Sequence, residues 1–241
     1  MARFNYSGVA ITGGTGRLNS SLGGSVLLSN GVVRNYVTPT NPQTAQQTLY
    51  RNLFQFMTSA WKGLTAGQKD AWESARTTDA WTVTDPFTGT TRPFSSAKAL
   101  FIYVNTNLSI ANSAVGSPAV SQVTPPAQAA FEAIGLTSIT ITAAAGTVAV
   151  IYTGTIADSF ISYRMTQPVS PGNMKLTSVK SLLRSIGVNN AVTPQALGTE
   201  YVAVHGAITG TAGQKVFYVL ELINGVTGQR TPLATGSTVI V

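Results

Sequence analysis

The side chains best able to do chemistry are few in this chain of 241 residues. It contains one histidine, His205, no cysteine and eight acidic residues. A cysteine-type zinc site, a disulfide and a thiol nucleophile are therefore excluded, and a Ser-His-acid triad would have to use His205. Glu200 lies five residues before His205, but the sequence around them offers no further ligand or catalytic partner.

Two other patterns contain residue types that occur in reactive sites but lack the neighbouring residues that such sites need. Asp79 and Asp85 could face each other across a loop, as the two carboxylates of a glycosidase do, but loop acids usually cap helices or close turns. Gly14-Thr15-Gly16 is followed by neither Gly-Lys-Ser/Thr nor a helical pattern, so it matches no phosphate-binding loop. We expect no catalytic residue, no metal and no cofactor, and interpret the protein as non-enzymatic.

The excess positive charge is concentrated at the start of the chain. The formal net charge is +7, and residues 1–69 contain six bases and no acid. Such a segment could lie on an acidic protein surface, bind nucleic acid or have no specific partner; the absence of a Lys/Arg-rich run makes nucleic acid the weakest of these. A second basic stretch, 170–184, is either a contact loop or a solvated loop. The candidate partner-binding residues are Arg3, Arg17, Arg34, Arg51, Lys175, Lys180 and Arg184.

The overall composition favours a protein that works in an assembly. Only 10% of the residues are charged, against about 25% in an ordinary soluble domain. No run of about 18 apolar residues occurs, so we expect no membrane span. The first residues contain no apolar stretch of signal-peptide length, and we expect no secretion through the usual pathway.

Residues 1–40 are predicted to form an extended basic arm with a β-hairpin. Glycines are frequent in this segment, and two apolar runs flank Ser29-Asn30-Gly31, a strong hairpin turn signal. Because a hairpin of this length has little core of its own, it needs a partner surface to be stable.

Residues 41–115 are predicted to form a helical unit. Asn41-Pro42 suits the start of a first helix, which should end at Lys62-Gly63. Thr65 and Gln68 have the spacing of a capping box and should begin a second helix. Apolar residues recur at spacings of three and four in both.

The third helix of this unit is predicted to begin after Ser95 as its cap. A loop or loose hairpin with a turn at Asp85 to Gly89 should precede it. Trp61 and Trp72, on the first two helices, are expected to pack against each other as core residues.

Residues 116–130 read as a linker, and 131–241 as a β-sandwich. The hydrophobic period changes from near 3.6 to 2 after Phe131, and short strands alternate with Gly, Pro and Asn turns. This pattern predicts an immunoglobulin-like or fibronectin-like sandwich. Its longest apolar run, 216–223, is interrupted by Glu221. The fold class is therefore α+β, with β structure dominant.

Four segments carry a family resemblance: the glycine-rich hairpin ending in Arg34, Asn41–Gln47, Ala60–Trp72 and Phe101–Leu108. Together they resemble a group of uncharacterised bacteriophage virion structural proteins, in which a C-terminal β-sandwich often ends the chain. The resemblance covers residues 20–112 well and the sandwich loosely. It implies a virion component and transfers no catalytic residue.

We therefore expect a virion structural protein, head-associated as a minor or decoration protein, that assembles through its N-terminal arm. Its partners would be acidic surfaces of other virion proteins, and its copies would form a homo-oligomer or symmetric assembly. A tail or neck component is the alternative within this class. The alternatives from other classes are a host-surface glycan-binding module, with Tyr163 and Tyr201 as exposed aromatics, and a nucleic-acid-binding protein.

Overall fold

The protein has a mixed α+β fold with antiparallel sheets, and its chain divides into two compact units, residues 1–44 and 45–241. The two units are described separately below. The computed structural model describes residues 16–19, 25–29, 32–35, 45–112, 118–143, 146–154, 158–170, 172, 175–176, 182–190, 194–208 and 213–241.

The first unit contains a three-stranded antiparallel sheet. Its strands are β1 (Gly16–Asn19), β2 (Ser25–Ser29) and β3 (Val32–Asn35), in the order β1-β2-β3. Ser29 pairs with Val32, which confirms the hairpin predicted from the turn signal. Residues 16–19, within the segment predicted as an extended arm, form a strand that pairs with β2; residues 1–15 lie outside the described residues.

Two helices begin the second unit, α1 (Ala45–Gly63) and α2 (Ala66–Thr78). The predicted start at Asn41-Pro42 lies outside the described residues. The capping box of α2 is confirmed, because the backbone N–H of Thr65 donates to Gln68 Oε1 at 2.9 Å and that of Gln68 donates to Thr65 Oγ1 at 3.3 Å. These two backbone N–H groups at the start of α2, which have no partner within the helix, are thereby hydrogen-bonded.

A short hairpin separates α2 from the third helix. Its strands are β4 (Thr82–Thr84) and β5 (Thr91–Pro93), on either side of the predicted turn. Helix α3 (Ala97–Ala111) is capped by Ser96, whose Oγ accepts from the backbone N–H of Ala99 at 3.2 Å. The prediction of Ser95 as the cap is wrong by one residue, because only Ser96 occupies the position from which a side chain reaches the third N–H.

The helices share an aromatic core. The rings of Trp61 and Trp72 each pack against Phe101 of α3, with ring centroids 5.4 Å apart in both pairs. Trp72 also donates from its indole Nε1 to the carbonyl of Val123 at 2.9 Å. Trp72 is a core residue, as expected, whereas Trp61 is only partly buried. The two tryptophans meet through Phe101 of the third helix, where direct packing of one on the other was predicted.

The segment predicted as a linker is irregular but held in place. Its described part, 118–130, follows α3, and the buried side chain of Asn105 binds the backbone of Gln122 on both sides. The amide Nδ2 donates to the carbonyl at 3.0 Å, and Oδ1 accepts from the N–H at 2.8 Å. The side-chain amide of Asn105 thus supplies the hydrogen-bond partners that the backbone of this irregular segment would otherwise find in a helix or sheet.

Two antiparallel sheets follow. The first has the order β10-β7-β6 and the second β12-β11-β8-β9. In chain order the strands are β6 (Gly135–Thr142), β7 (Thr147–Thr153), β8 (Ser159–Met165), β9 (Arg184–Asn190), β10 (Gln195–Ala196), β11 (Lys215–Asn224) and β12 (Arg230–Val239). Helix α4 (Gly198–His205) lies between β10 and β11 in the chain.

One hydrophobic core includes residues of both sheets. Val148 and Val150 of the first sheet belong to it with Ile161 and Leu220 of the second. The buried hydroxyls of Tyr152, on β7, and Tyr163, on β8, are hydrogen-bonded to each other, so the two sheets are also joined by a polar contact. At the chain end, the N–H of Val241 donates to the carbonyl of Ile141 at 3.0 Å.

The opposite face of the four-stranded sheet is covered by helices. Ile223 of β11 packs with Leu53 and Met57 of α1 and with Ile110 of α3. Strand β11 is therefore buried on both faces, which explains its nearly continuous apolar sequence. Among the described residues, none of the helices combines the length and the hydropathy that a bilayer crossing requires.

Candidate interaction surfaces

Two of the predicted partner-binding residues come together in the N-terminal sheet. The register pairs Arg17 of β1 with Leu27 of β2, and Leu27 with Arg34 of β3. Positions 17 residues apart in sequence thus occupy one row across the three strands. This row concentrates two of the six bases that precede the first acid of the chain.

The rows on either side are mostly apolar. One consists of Leu18, Val26 and Asn35, and the other of Gly16, Leu28 and Val33. Rows that alternate between apolar and basic residues are typical of a sheet that is covered on one face. The strands β1 and β3 are the edges of this sheet, and edge strands are the elements that pair with other chains.

The other predicted basic residues do not join this row. Arg51 is exposed on α1, Lys175 is exposed, and Arg184 is exposed at the start of β9. Arg184 pairs with Met165 in the backbone register. Arg3 and Lys180 lie outside the described residues.

The acidic and histidine candidates have local structural roles. Asp79 ends α2, and its backbone N–H donates to the carbonyl of Ala75 at 3.1 Å. Asp85 Oδ1 accepts from the N–H of Phe87 at 2.7 Å, as a turn-forming aspartate does. His205 ends α4, and its Nε2 lies 3.1 Å from the carbonyl of Met165. Burial lowers the pKa of His205 below its ordinary value, so the ring is neutral at pH 7 and donates to this carbonyl.

The two tyrosines expected as exposed sugar-binding aromatics are buried, and that expectation is wrong. Tyr163 and Tyr201 have no exposed surface. Tyr201 donates from its hydroxyl to the carbonyl of Thr166 at 2.8 Å, and burial raises the pKa of both phenols to about 12. Tyr163 is buried because every second residue of strand β8 faces the core, and Tyr201 is buried because it lies on the inner side of the short helix α4.

A charged cluster that the sequence patterns did not single out lies on the outer face of the four-stranded sheet. Glu221 of β11 is 5% exposed. Its Oε2 accepts hydrogen bonds from Arg164 of β8 and Arg230 of β12. Strand neighbours in the register bring the three together, since Glu221 pairs with Ser162 and Pro232, close to both arginines. The signal in the sequence was Glu221 itself, the only charge within 216–223.

This cluster connects the sheet to the β4–β5 hairpin. The guanidinium of Arg164 lies 5.8 Å from the ring centroid of Phe87, in cation–π geometry. Tyr103 of α3 donates from its hydroxyl to the carbonyl of Arg230 at 3.2 Å. A cleft of about 280 Å³ lies beside these side chains and is also lined by Arg92. Its charged side chains pair with one another and hold the sheet, the hairpin and α3 together.

In the part of the chain that the structure describes, no three or more His, Cys, Asp or Glu side chains are grouped so that they could hold a metal ion. What the fold defines is a mixed α+β protein with antiparallel sheets and a basic row in a separate N-terminal unit. No protein-family model, curated protein or solved structure matches the chain.

Proposed function

We propose that this chain is a non-enzymatic structural protein of a bacteriophage virion, most simply a head-associated minor or decoration protein. In this proposal it assembles through its N-terminal sheet. Its partners are acidic surfaces of other virion proteins, and its copies are arranged by the symmetry of the particle. A tail or neck position is the alternative within the same class.

The observation that carries the proposal is the basic row of the N-terminal sheet. Arg17 and Arg34 flank Leu27 in a sheet whose strands have four, five and four residues. The apolar face of a sheet needs another surface to cover it, and the edge strands of this sheet can extend a neighbour's sheet through main-chain hydrogen bonds. Carboxylates on the neighbour would pair with the two arginines. The resemblance of residues 20–112 to phage proteins supports the same assignment.

We further propose that residues 131–241 form an immunoglobulin-like or fibronectin-like sandwich that acts as an outward spacer or decoration. The strand order supports this. The first, second and fifth strands of the region form one sheet, and the third, sixth and seventh form the other. These are the positions of strands A, B and E and of strands C, F and G in that architecture, with β9 added beside β8 as a C′ strand is.

Repetition explains how such small contacts could hold the protein on a particle. Each N-terminal sheet offers few side chains, and exposed ion pairs contribute about 1 kcal/mol or less each. Many copies on a symmetric lattice, or several contacts per copy, raise the effective concentration and make weak contacts sufficient. This is why assembly, rather than tight binding of one soluble partner, suits the unit 1–44.

Quantitative mass spectrometry of density-purified particles from the producing culture tests the proposal. Copies in the hundreds per particle would place the protein on the head, and copies in the tens would favour the neck or tail, since these parts repeat to different extents. Absence of the protein from washed particles would contradict the virion assignment. The host's most abundant soluble proteins, measured in the same samples, control for adhering contaminants.

A further inference from the structure

We propose that a groove on the helical side of residues 45–241 binds an acidic segment of a partner protein that carries an apolar anchor residue. The groove has a volume of about 500 Å³, which is in the range of sites that accept one or a few side chains. It lies apart from the N-terminal sheet in sequence, and it is lined by α1, α3 and the hairpin between α2 and α3.

Most of the residues that line the groove are apolar or aromatic. Phe54 of α1 is 59% exposed, and with it Val83, Phe94 and Ile102 line the groove. An exposed phenylalanine on a helix leaves a large apolar area in water, and such areas mark interaction sites when they border a concave surface. Phe54 is more exposed than the other phenylalanine on α1, Phe56, at 38%.

The charges that line the groove are of one sign. Arg92 of β5 and Lys98 of α3 are its charged lining residues, and no acidic side chain lines it. Arg51 lies one helical turn before Phe54 and is exposed on the same side of α1. A bound segment that places carboxylates near these bases would gain charge complementarity, which guides both orientation and partner choice.

Charge also decides against the nearest segment of the same chain as occupant. Residues 1–69 contain six bases and no acid, so no part of 1–44 could offer a carboxylate to Arg92 and Lys98. A partner with an aromatic or leucine side chain next to Asp or Glu satisfies both the apolar wall and the basic rim. If the proposed function is right, this groove is a second assembly contact, but peptide binding itself does not depend on that function.

The experiment uses the full-length chain as bait for a random library of about 10-residue peptides, a length that spans a groove of this size. Enriched sequences are expected to carry an aromatic residue or leucine within two positions of an acid. A synthetic copy of the most enriched peptide, followed by fluorescence anisotropy, should bind about tenfold more weakly to Phe54→Ser. It should weaken similarly for the double variant Arg92→Glu/Lys98→Glu and at high salt.

Matched controls separate the groove from general surface effects. Val226→Ser removes an apolar side chain of similar exposure, 57%, outside the groove, and Lys175→Glu reverses an exposed charge outside it. Both should leave peptide binding unchanged. The proposal is overturned if no peptide is enriched, if the enriched peptides lack acids, or if Phe54→Ser binds as well as the parent.

A second copy of this chain is the rival occupant. Sedimentation of the parent and of Phe54→Ser without peptide detects it. Concentration-dependent association that Phe54→Ser abolishes would assign the groove to self-association and overturn the peptide proposal. The proposed function is tested separately, because it concerns the N-terminal sheet and is measured by particle incorporation. Peptide binding and sedimentation of Phe54→Ser test the groove alone.

Discussion

The strands of residues 16–35 and those of residues 135–239 differ in length and in how they are covered. The N-terminal strands have four or five residues and alternate between apolar and basic rows. Strand β11 has ten residues and is buried on both faces, against the other sheet and against the helices. The second unit therefore supplies its own core, whereas the first has the pattern of a sheet that needs cover from elsewhere.

This difference separates stability from assembly. Substitutions in the core or at the element junctions of residues 45–241 should lower the free energy of unfolding. Substitutions in the N-terminal sheet should affect particle incorporation and leave the main thermal transition in place. The predictions that follow test that division, and they begin with the largest expected effect.

Leu220→Ala should destabilise the second unit by about 4 kcal/mol, because Leu220 has no exposed surface in the core that both sheets share. Leu27→Ala, in the basic row of the N-terminal sheet, should leave the same transition unchanged. Thermal unfolding followed by circular dichroism compares the two. A large loss in the Leu27 variant would contradict the division into two units.

Glu221→Gln should cost about 3 kcal/mol, since it removes the shared acceptor of Arg164 and Arg230 and leaves two partly buried guanidinium groups without their charge partner. The matched control is Glu73→Gln. Glu73 pairs with Arg76 on the surface of α2, with its side chain 49% exposed, and its loss should have a much smaller effect because solvent screens an exposed ion pair. Equal effects in urea titrations would show that the cluster does not hold the sheet to the hairpin.

Gly228→Ala should cost about 2 kcal/mol more than Gly89→Ala. Both glycines have positive φ, 67° and 69°, so both substitutions introduce backbone strain. A Cβ at Gly228 would lie 2.5 Å from the carbonyl oxygen of Val104, whereas one at Gly89 meets nothing within 4 Å. The difference between the melting temperatures of the two variants measures the cost of placing a Cβ where α3 closely approaches the turn after β11.

The smallest effect concerns pH and His205. Burial and the nearby charge of Arg184 lower the pKa of this histidine below its ordinary 6.5. As the pH falls through 6.5, the unfolded chain takes up a proton that the folded chain resists, so the folded state loses stability. His205→Gln should flatten the dependence of melting temperature on pH just below 6.5. An unchanged slope in that variant would show that another group is responsible.

Local signals in the sequence predicted several elements correctly. The Thr65–Gln68 capping box, the hairpin that pairs Ser29 with Val32 and the strands β6 and β7 of the period-2 region each depend on neighbours in the chain, and each is present in the structure. The error at Ser95 has the same local origin, because two adjacent serines can both cap a helix and only the position of the helix decides between them.

Contacts between distant segments were not accessible to the same reasoning. The ring of Phe101 packs against tryptophans of two other helices, and the side chain of Asn105 hydrogen-bonds to the backbone of Gln122, which is 17 residues away in the sequence. Glu221 was visible as an anomaly in an apolar run, but its partners Arg164 and Arg230 follow only from the strand order. The burial of Tyr163 and Tyr201 has the same cause, since the side of a strand or helix that faces the core is set by packing.

The most direct test of assembly through the N-terminal sheet is the incorporation of residues 45–241 into particles that lack the full-length chain, measured by quantitative mass spectrometry after density purification. The account predicts that this fragment keeps the thermal transition of the full chain and is lost from particles. Full-length Arg17→Glu/Arg34→Glu should be depleted as well, whereas full-length Lys175→Glu should be retained. Normal incorporation of the folded fragment would contradict the central claim.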